Sequence, residues 1–401
     1  GDLMQHTPLI GLGGRIWRRT MTTIRGCLLA VTVGAGCASD QKDTSSSEPK
    51  AEALRIPDDP ATADMPVGVR TVELGGASVE VWYPASDSVQ GEAGESVALA
   101  DLVPQSVSDV LGDAELPSLV TNAVRDAPLR ELESPMPVVL FSHGFGGFAQ
   151  QSVDITTHLA GRGFVVFSTV HAGRSFGDLL PCLFTPPLDG CALPGTDPGP
   201  DDLNGILAAL EVDAGFLEGR IDLSIRAVVG HSAGGGTTNT MAETDSELDA
   251  AVVMADGPVI TTDVPVLLLD GSCDGIVPET GVAPAFESVP NGTRVRMDGA
   301  GHLAFSDLCE LELGRLAEEL LEPRDDINEL FLGQLVGLGT DGCPGGEVVI
   351  PECGDTFMPL STSDPVVRAS IASFLELHLR GSGPGVASDY GAGFEVSQSG
   401  G

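Results

Sequence analysis

Lysine is almost missing from this chain of 401 residues: it stands only at Lys42 and Lys50, and every other basic residue is arginine. Twenty basic side chains face 58 acidic ones, for a formal charge of −38. Such a chain repels phosphate backbones, which excludes a nucleic-acid partner. A strongly solvated acidic surface favouring solubility is the plain reading; adaptation to salt and a site for cationic substrates are the others. Aromatic residues make up 4%, with tryptophan only at Trp17 and Trp82. No apolar run reaches the roughly 18 residues of an ordinary transmembrane helix. There is no Cys-x-x-Cys pair and no histidine at ligand spacing, so no metal site is expected. The spacing of Asp189, Asp197, Asp201 and Asp202 matches no EF-hand and reads as a solvated loop. No internal repeat is visible, which excludes a solenoid.

What is present is a 42% hydrophobic content, enough to bury a substantial core, in a length that suits one large domain with tails or two small ones. Residues 1–20 form an upstream segment before a better start at Met21. Arg25, an apolar run over 26–36 and then Cys37 have the order of a secretory signal. The ending Val33-Gly-Ala-Gly-Cys37 resembles a bacterial lipobox, so residues 21–37 are expected to export the chain. Membrane contact is then expected only through a lipid anchor on Cys37. Residues 38–60 read as a flexible tether, residues 61–381 as the folded domain, and the Gly- and Ser-rich residues 382–401 as a disordered tail. A monomer is expected.

Six cysteines follow Cys37, and an even number in an exported chain points to disulfides. Closeness in sequence favours Cys182–Cys191 and Cys343–Cys353, leaving Cys273 with Cys309. These would brace two long loops, 172–200 and 303–363, of the kind that shapes binding sites.

Residues 70–74 and 79–83 read as strands around a Gly75-Gly76 turn, and a short helix is expected near 105–112. Apolar runs at 137–141, 164–167, 225–230, 248–255 and 265–270 read as buried parallel strands, with 293–297 as the last. Helical spacing appears at 150–161, 201–217 and 364–379. Alternating strands and helices imply an α/β protein with a mainly parallel central sheet flanked by helices.

Gly230-His-Ser232-Ala-Gly234 fits G-x-S-x-G, after a strand and before a helix. That context forces a tight bend that lifts the serine clear of the sheet, making Ser232 the candidate nucleophile. A serine needs a base, normally a histidine held in one tautomer by a carboxylate. In α/β hydrolases the chain order is serine, acid, histidine. His302 follows the last expected strand and is the candidate base. Asp274 lies just beyond the 265–270 strand and is the candidate acid; Asp256, which ends the preceding strand, is the alternative. Asp270 reads as part of its strand. Ester chemistry also needs oxyanion donors: the N–H after the nucleophile, Ala233, and one from the loop Ser142-His-Gly-Phe-Gly-Gly147, where Phe145 is the candidate. The Phe145 ring is placed to wall an acyl pocket. His143 and His231 are expected to support these groups by hydrogen bonds.

The runs Ser142-His-Gly-Phe-Gly-Gly147, Leu159-Ala-Gly-Arg-Gly-Phe-Val-Val166 and Gly230-His-Ser-Ala-Gly-Gly235 resemble those of platelet-activating-factor acetylhydrolases and of related bacterial dienelactone-hydrolase-like proteins. So do Val79-Glu-Val-Trp-Tyr-Pro-Ala85 and Ala300-Gly-His-Leu-Ala-Phe-Ser-Asp307. The resemblance spans about 66–308 and the closing helix. It implies an α/β-hydrolase fold, no cofactor and hydrolysis of short-acyl esters, with Ser232, His302, Phe145 and Ala233 in the roles given above. Acetylhydrolases place the acid where Asp256 stands; most other relatives place it at Asp274. A second resemblance, through the Ser232 motif, Val264-Pro-Val-Leu-Leu-Leu269 and Asp274-Gly-Ile-Val-Pro278, is to cutinases and PET-type polyester hydrolases. The Trp those enzymes use to clamp a ring is replaced here by the Asp256-Gly257-Pro258 stretch. The expected activity is that of an exported serine carboxylesterase acting on a small-molecule or polymeric ester. A polyester hydrolase, a peptidase or amidase, and a catalytically silent binding protein on the same fold are the competing readings.

Overall fold

Alternating apolar and polar residues open the ordered chain with a hairpin, in which β1 (Val67–Leu74) pairs antiparallel with β2 (Ala77–Pro84). The computed structural model describes residues 65–112, 115–193, 195–257, 261–311, 326–328, 343 and 356–399. Residues 1–60, with the expected signal, lipobox and tether, lie outside this set, as do Pro258 and Cys353. Every described residue falls in one unit, Glu52–Gly401.

After the hairpin come β3 (Ser96–Ala98), helix α1 (Gln105–Leu111) and β4 (Ser118–Val120), with β3 and β4 forming a small sheet of their own. Then β5 (Ala123–Arg125) returns to pair with β1. Next are β6 (Met136–Ser142), α2 (Val153–Gly161), β7 (Val165–Thr169), the single turn α3 (Phe176–Leu179), α4 (Gly199–Val212) and β8 (Ile221–His231). The chain closes with α5 (Ala233–Thr244), β9 (Ala250–Met254), β10 (Val266–Gly271), α6 (Glu279–Phe286), β11 (Gly292–Met297), α7 (Leu360–Arg380) and β12 (Phe394–Gln398).

The large sheet has the order β12-β11-β10-β9-β8-β6-β7-β2-β1-β5. Its centre, from β7 through β6 to β11, is parallel. Every residue of β6, β7, β9 and β10 is buried, because helices cover both faces. Along β6 the sides alternate: Val139 and Phe141 pack with Ile155, Leu159, Ile371 and Phe374 of α2 and α7. Val138 and Leu140 pack with Leu203, Ile206 and Met241 of α4 and α5. A smaller apolar cluster, including Val97, Leu99, Val107, Leu119 and Leu180, closes over Phe148 just after the 142–147 loop. The chain leaves β6 for β7 on one side and resumes at β8 on the other, so the strand order reverses at the C-terminal end of β6. In open α/β sheets such a switch point leaves a crevice beyond the strand ends, where ligands bind.

Two expectations are corrected. The tail is not disordered over its described length: β12 adds an antiparallel strand to β11, so 293–297 is not the last strand. Tyr390 is fully buried, and its hydroxyl accepts from Ser370 Oγ at 2.9 Å. Glycines and serines dominate this segment's composition, but Tyr390, Phe394 and Val396 are spaced to dock on the core. The cysteine pairing also differs. Cys182–Cys191 forms as expected, but Cys273 pairs with Cys343, not with Cys309. Cys309 is disulfide-bonded as well, to a residue outside the described set. Sequence distance misled because the fold brings Cys343 to Cys273, in the loop after β10, across a separation of 70 residues.

Candidate active site

The bend between β8 and α5 is tight enough that only glycine fits on either side of it. A Cβ at Gly230 would stand 1.9 Å from Gly234 O, and one at Gly234 would stand 2.0 Å from Ser142 O. Between them Ser232 sits at φ 55° and ψ −121°, a strained backbone for any residue with a side chain. Its N–H is held by Met254 O of β9 at 2.8 Å. The side chain is thereby raised from the sheet into the crevice at the head of α5.

Three loops at the C-terminal ends of parallel strands converge there. His302, after β11, places Nε2 2.8 Å from Ser232 Oγ and Nδ1 2.9 Å from Asp274 Oδ2. His302 and Asp274 are both buried. The loop after β10 folds back on Asp274, whose Oδ1 accepts from the N–H groups of Ile276 and Val277 at 2.9 and 2.7 Å. A carboxylate so held accepts from His302 Nδ1–H and leaves Nε2 bare toward the serine. Asp270, one turn earlier, is a buried partner of Arg294, with Oδ1 accepting from Nε at 2.7 Å.

Asp256 stands apart, against the first turn of α5 beside Gly235, with Asn239 Nδ2 at 3.4 Å from its Oδ2. Desolvation by burial pushes its carboxyl up to about 7, opposed by a backbone hydrogen bond at Gly257 and by the nearby His302.

The 142–147 loop is gripped from below. The Gly144 carbonyl accepts from His143 Nδ1–H at 2.7 Å. Because a trans peptide points its C=O and N–H in opposite directions, this bond aims the Phe145 N–H away from His143. Among the described residues no protein acceptor takes the Phe145 or Ala233 N–H. Burial, with His171 and Arg174 nearby, holds His143 well below the usual histidine range, so it stays neutral. Its Nε2 accepts from the His171 N–H at 3.0 Å. Arg174, 2% exposed, donates to Ser142 Oγ at 2.7 Å, His143 O at 2.9 Å, Thr237 Oγ1 at 3.1 Å and Ala233 O at 3.3 Å, and pairs with Asp197. Its own carbonyl accepts from Gly146 N–H at 2.7 Å. Phe145 is 41% exposed.

Thus Ser232, His302 and Asp274 come together in one line of hydrogen bonds, with Ala233 and Phe145 bordering it and Asp256 off the line. Arg174 was not singled out from sequence. The signal for it was weak: a lone cation in a loop of Pro, Gly and Asp, in a chain otherwise poor in cations. Gln151, which joins Gly144 to His231, has no signal in its run of Ala-Gln-Gln-Ser. Among the described residues no group of three or more His, Cys, Asp or Glu side chains is placed to hold a metal ion.

A sequence model described as platelet-activating factor acetylhydrolase, isoform II, matches residues 75–177. That stretch runs from the first hairpin through the 142–147 loop and ends before Ser232. A solved structure, the ferulic acid esterase from Streptomyces cinnamoneus, matches over 84% of this chain and 97% of its own, with a TM-score of 0.54 and 24% identity. The chain has the α/β-hydrolase fold. No curated protein sequence matches it. In α/β hydrolases with a G-x-S-x-G motif the nucleophile stands on a sharp strand-to-helix bend and a loop after an earlier strand supplies an oxyanion donor; Ser232 and the loop after β6 stand at positions of that kind. The chain resembles the serine esterases of this fold in both features.

Proposed function

We propose that the protein is an exported serine carboxylesterase that hydrolyses short- to medium-acyl esters through an acyl-enzyme on Ser232. The hydrogen-bonded line Ser232–His302–Asp274 at the switch point carries this reading. In the first half-reaction Ser232 Oγ attacks the ester carbonyl carbon while its proton passes to His302 Nε2. Asp274 steadies the imidazolium that results. The negative oxygen that forms is met by the N–H groups of Ala233 and Phe145, and a donor of this kind is worth about 10²–10³ in kcat. Collapse expels the alcohol, protonated by His302. Water then attacks the acyl-serine with His302 again as base, and the acid departs. The lipobox-like Cys37 and the disulfides support export and an anchor on the cell envelope.

A polyester hydrolase is the second reading, favoured by the exposed Phe145 ring and by Ile276, 39% exposed, in the loop of Asp274. The Asp256-Gly257-Pro258 stretch, where the resemblance to polyester hydrolases would put a clamp Trp, carries no aromatic residue, which favours small esters.

The deciding experiment labels the protein with a fluorophosphonate and locates the adduct. Attachment at Ser232, with loss of p-nitrophenyl acetate hydrolysis by orders of magnitude in Ser232→Ala, is the expected result. Hydrolysis near the wild-type rate in the variant would remove the reading; an unlabelled, inert wild type would favour a silent binding protein.

A further inference from the structure

The oxyanion loop and the base loop belong to different strands, yet both must address a single tetrahedral carbon. A chain of three buried hydrogen bonds joins them. The Gly144 N–H donates to Gln151 Oε1 at 3.1 Å, Gln151 Nε2 donates to His231 Nδ1 at 3.0 Å, and His231 Nε2 donates to the His302 carbonyl at 2.9 Å. Gln151 is wholly buried and His231 is 2% exposed.

The direction of this chain is fixed from both ends. A peptide N–H can only donate, so Gln151 must turn its oxygen to Gly144 and its amide nitrogen to His231. A carbonyl can only accept, so His231 must carry its proton on Nε2 and leave Nδ1 bare. The two requirements meet at Gln151 Nε2 and His231 Nδ1 without conflict. Burial reinforces the arrangement: desolvation first, and the nearby His302 second, push the His231 pKa down to about 3, so the ring is neutral at neutral pH. Gln151 is pinned in turn, since its carbonyl accepts from the Asp307 N–H at 3.0 Å and its N–H donates to Phe148 O at 3.0 Å.

We propose that Gln151 and His231 form a positioning bridge that sets the separation of the oxyanion donor at Phe145 from the base at His302. The inference rests on the esterase reading. Neither side chain touches a reacting atom; both act through the loops they hold. The His231 and His302 rings lie 5.1 Å apart, close enough for the tautomer of one to affect the other. Displacement of a catalytic group by about 1 Å costs about 10²-fold in rate, and the bridge is built to prevent it.

The test separates the two halves of His231. His231→Gln keeps an N–H near the position of Nε2 and can still donate to the His302 carbonyl. His231→Asn keeps a polar atom near Nδ1, facing Gln151, and loses that donation. On a short-acyl p-nitrophenyl ester, His231→Asn and Gln151→Leu are expected to lower kcat by about 10- to 100-fold, with KM within about threefold of wild type. His231→Gln is expected to restore kcat to within about fivefold of wild type. Nitrogen-15 NMR of the wild-type ring should show a single proton, on Nε2, between about pH 5 and about pH 9. In Gln151→Glu the carboxylate facing Nδ1 should bring in a second proton and add an ionisation to the pH profile of kcat. Wild-type kcat in His231→Asn and Gln151→Leu, equal damage in His231→Gln and His231→Asn, or a proton on Nδ1 would each overturn the bridge. If the variants lose their fold, the wild-type NMR decides. If wild-type protein cleaves no ester, or Ser232→Ala cleaves it as well as wild type, the esterase reading fails, and the ring tautomer still reports on the bridge.

Discussion

At the scale of single residues, the two acids near His302 are told apart by what surrounds them. Asp274 bonds to His302 Nδ1 and is held by two backbone N–H groups, whereas Asp256 rests against α5. Asp274→Asn should therefore lower kcat by about 10⁴-fold, since the wrong histidine tautomer is left facing the serine. Asp256→Asn should stay within about tenfold of wild type. The reverse ranking on p-nitrophenyl acetate would move the acid to Asp256. Burial also gives Asp256 a measurable signature in stability. Its folded pKa, about 7, lies above the unfolded value of about 3.8, so the folded state binds more protons between the two. The resulting stability is complete below about pH 4 and lost as pH rises through about 7. Asp256→Asn removes this dependence, so its Tm relative to wild type should be higher at about pH 8 than at about pH 5. Calorimetry at the two pH values checks it.

At the scale of elements, the parts that were legible in the sequence are those whose signal is local. The runs that became β6, β7, β9 and β10 are apolar throughout because each is buried on both faces, and the glycines around Ser232 announce the elbow by themselves. What remained hidden depends on contacts between distant segments. The pairing of Cys273 with Cys343 is one such contact, and the docking of β12 through a few apolar residues in a Gly- and Ser-rich segment is another. Each carries an expected outcome. Cys273 adjoins Asp274 and is buried beside it, so its disulfide ties the loop of Asp274 to Cys343. Mild reduction should lower ester turnover before circular dichroism reports any melting of the core; a parallel loss of both would mean that the bond serves the fold as a whole. Tyr390→Ala removes a fully buried ring and both contacts to its hydroxyl. It should cost about 3–5 kcal/mol in denaturant titrations, as large aromatic truncations in cores do; a disordered tail would show no change.

At the scale of the whole molecule, the proposed substrate choice rests on the scarcity of exposed aromatic side chains among the described residues. Among the described residues Phe145 is the one exposed Phe, Tyr or Trp, and a stacked pair is worth about 0.5–1.5 kcal/mol beyond burial. The missing partner ring should cost about tenfold in binding an aromatic polymer unit. Acetyl to hexanoyl esters should be preferred over long acyl chains, and PET film should be attacked slowly; a panel of acyl lengths with a film assay measures both. The charge of −38 adds a separate expectation. Self-repulsion on this scale is screened by salt, so thermal stability should rise between about 0.05 M and about 1 M sodium chloride.

The strained backbone at Ser232 has a consequence for the molecule's free energy of folding. A residue with a side chain at φ 55° and ψ −121° costs about 1–3 kcal/mol, and a native protein has only about 5–15 kcal/mol of stability in all. Ser232→Gly should relieve most of that strain, less the roughly 0.5–1 kcal/mol by which glycine loosens the unfolded chain, whereas Ser232→Ala should leave it in place. The more stable of these two inert variants should thus be the glycine one, with a midpoint at or above that of the active protein. Selection for robustness alone would then erase the serine at this bend; on the proposed nucleophile role, keeping it trades stability for activity.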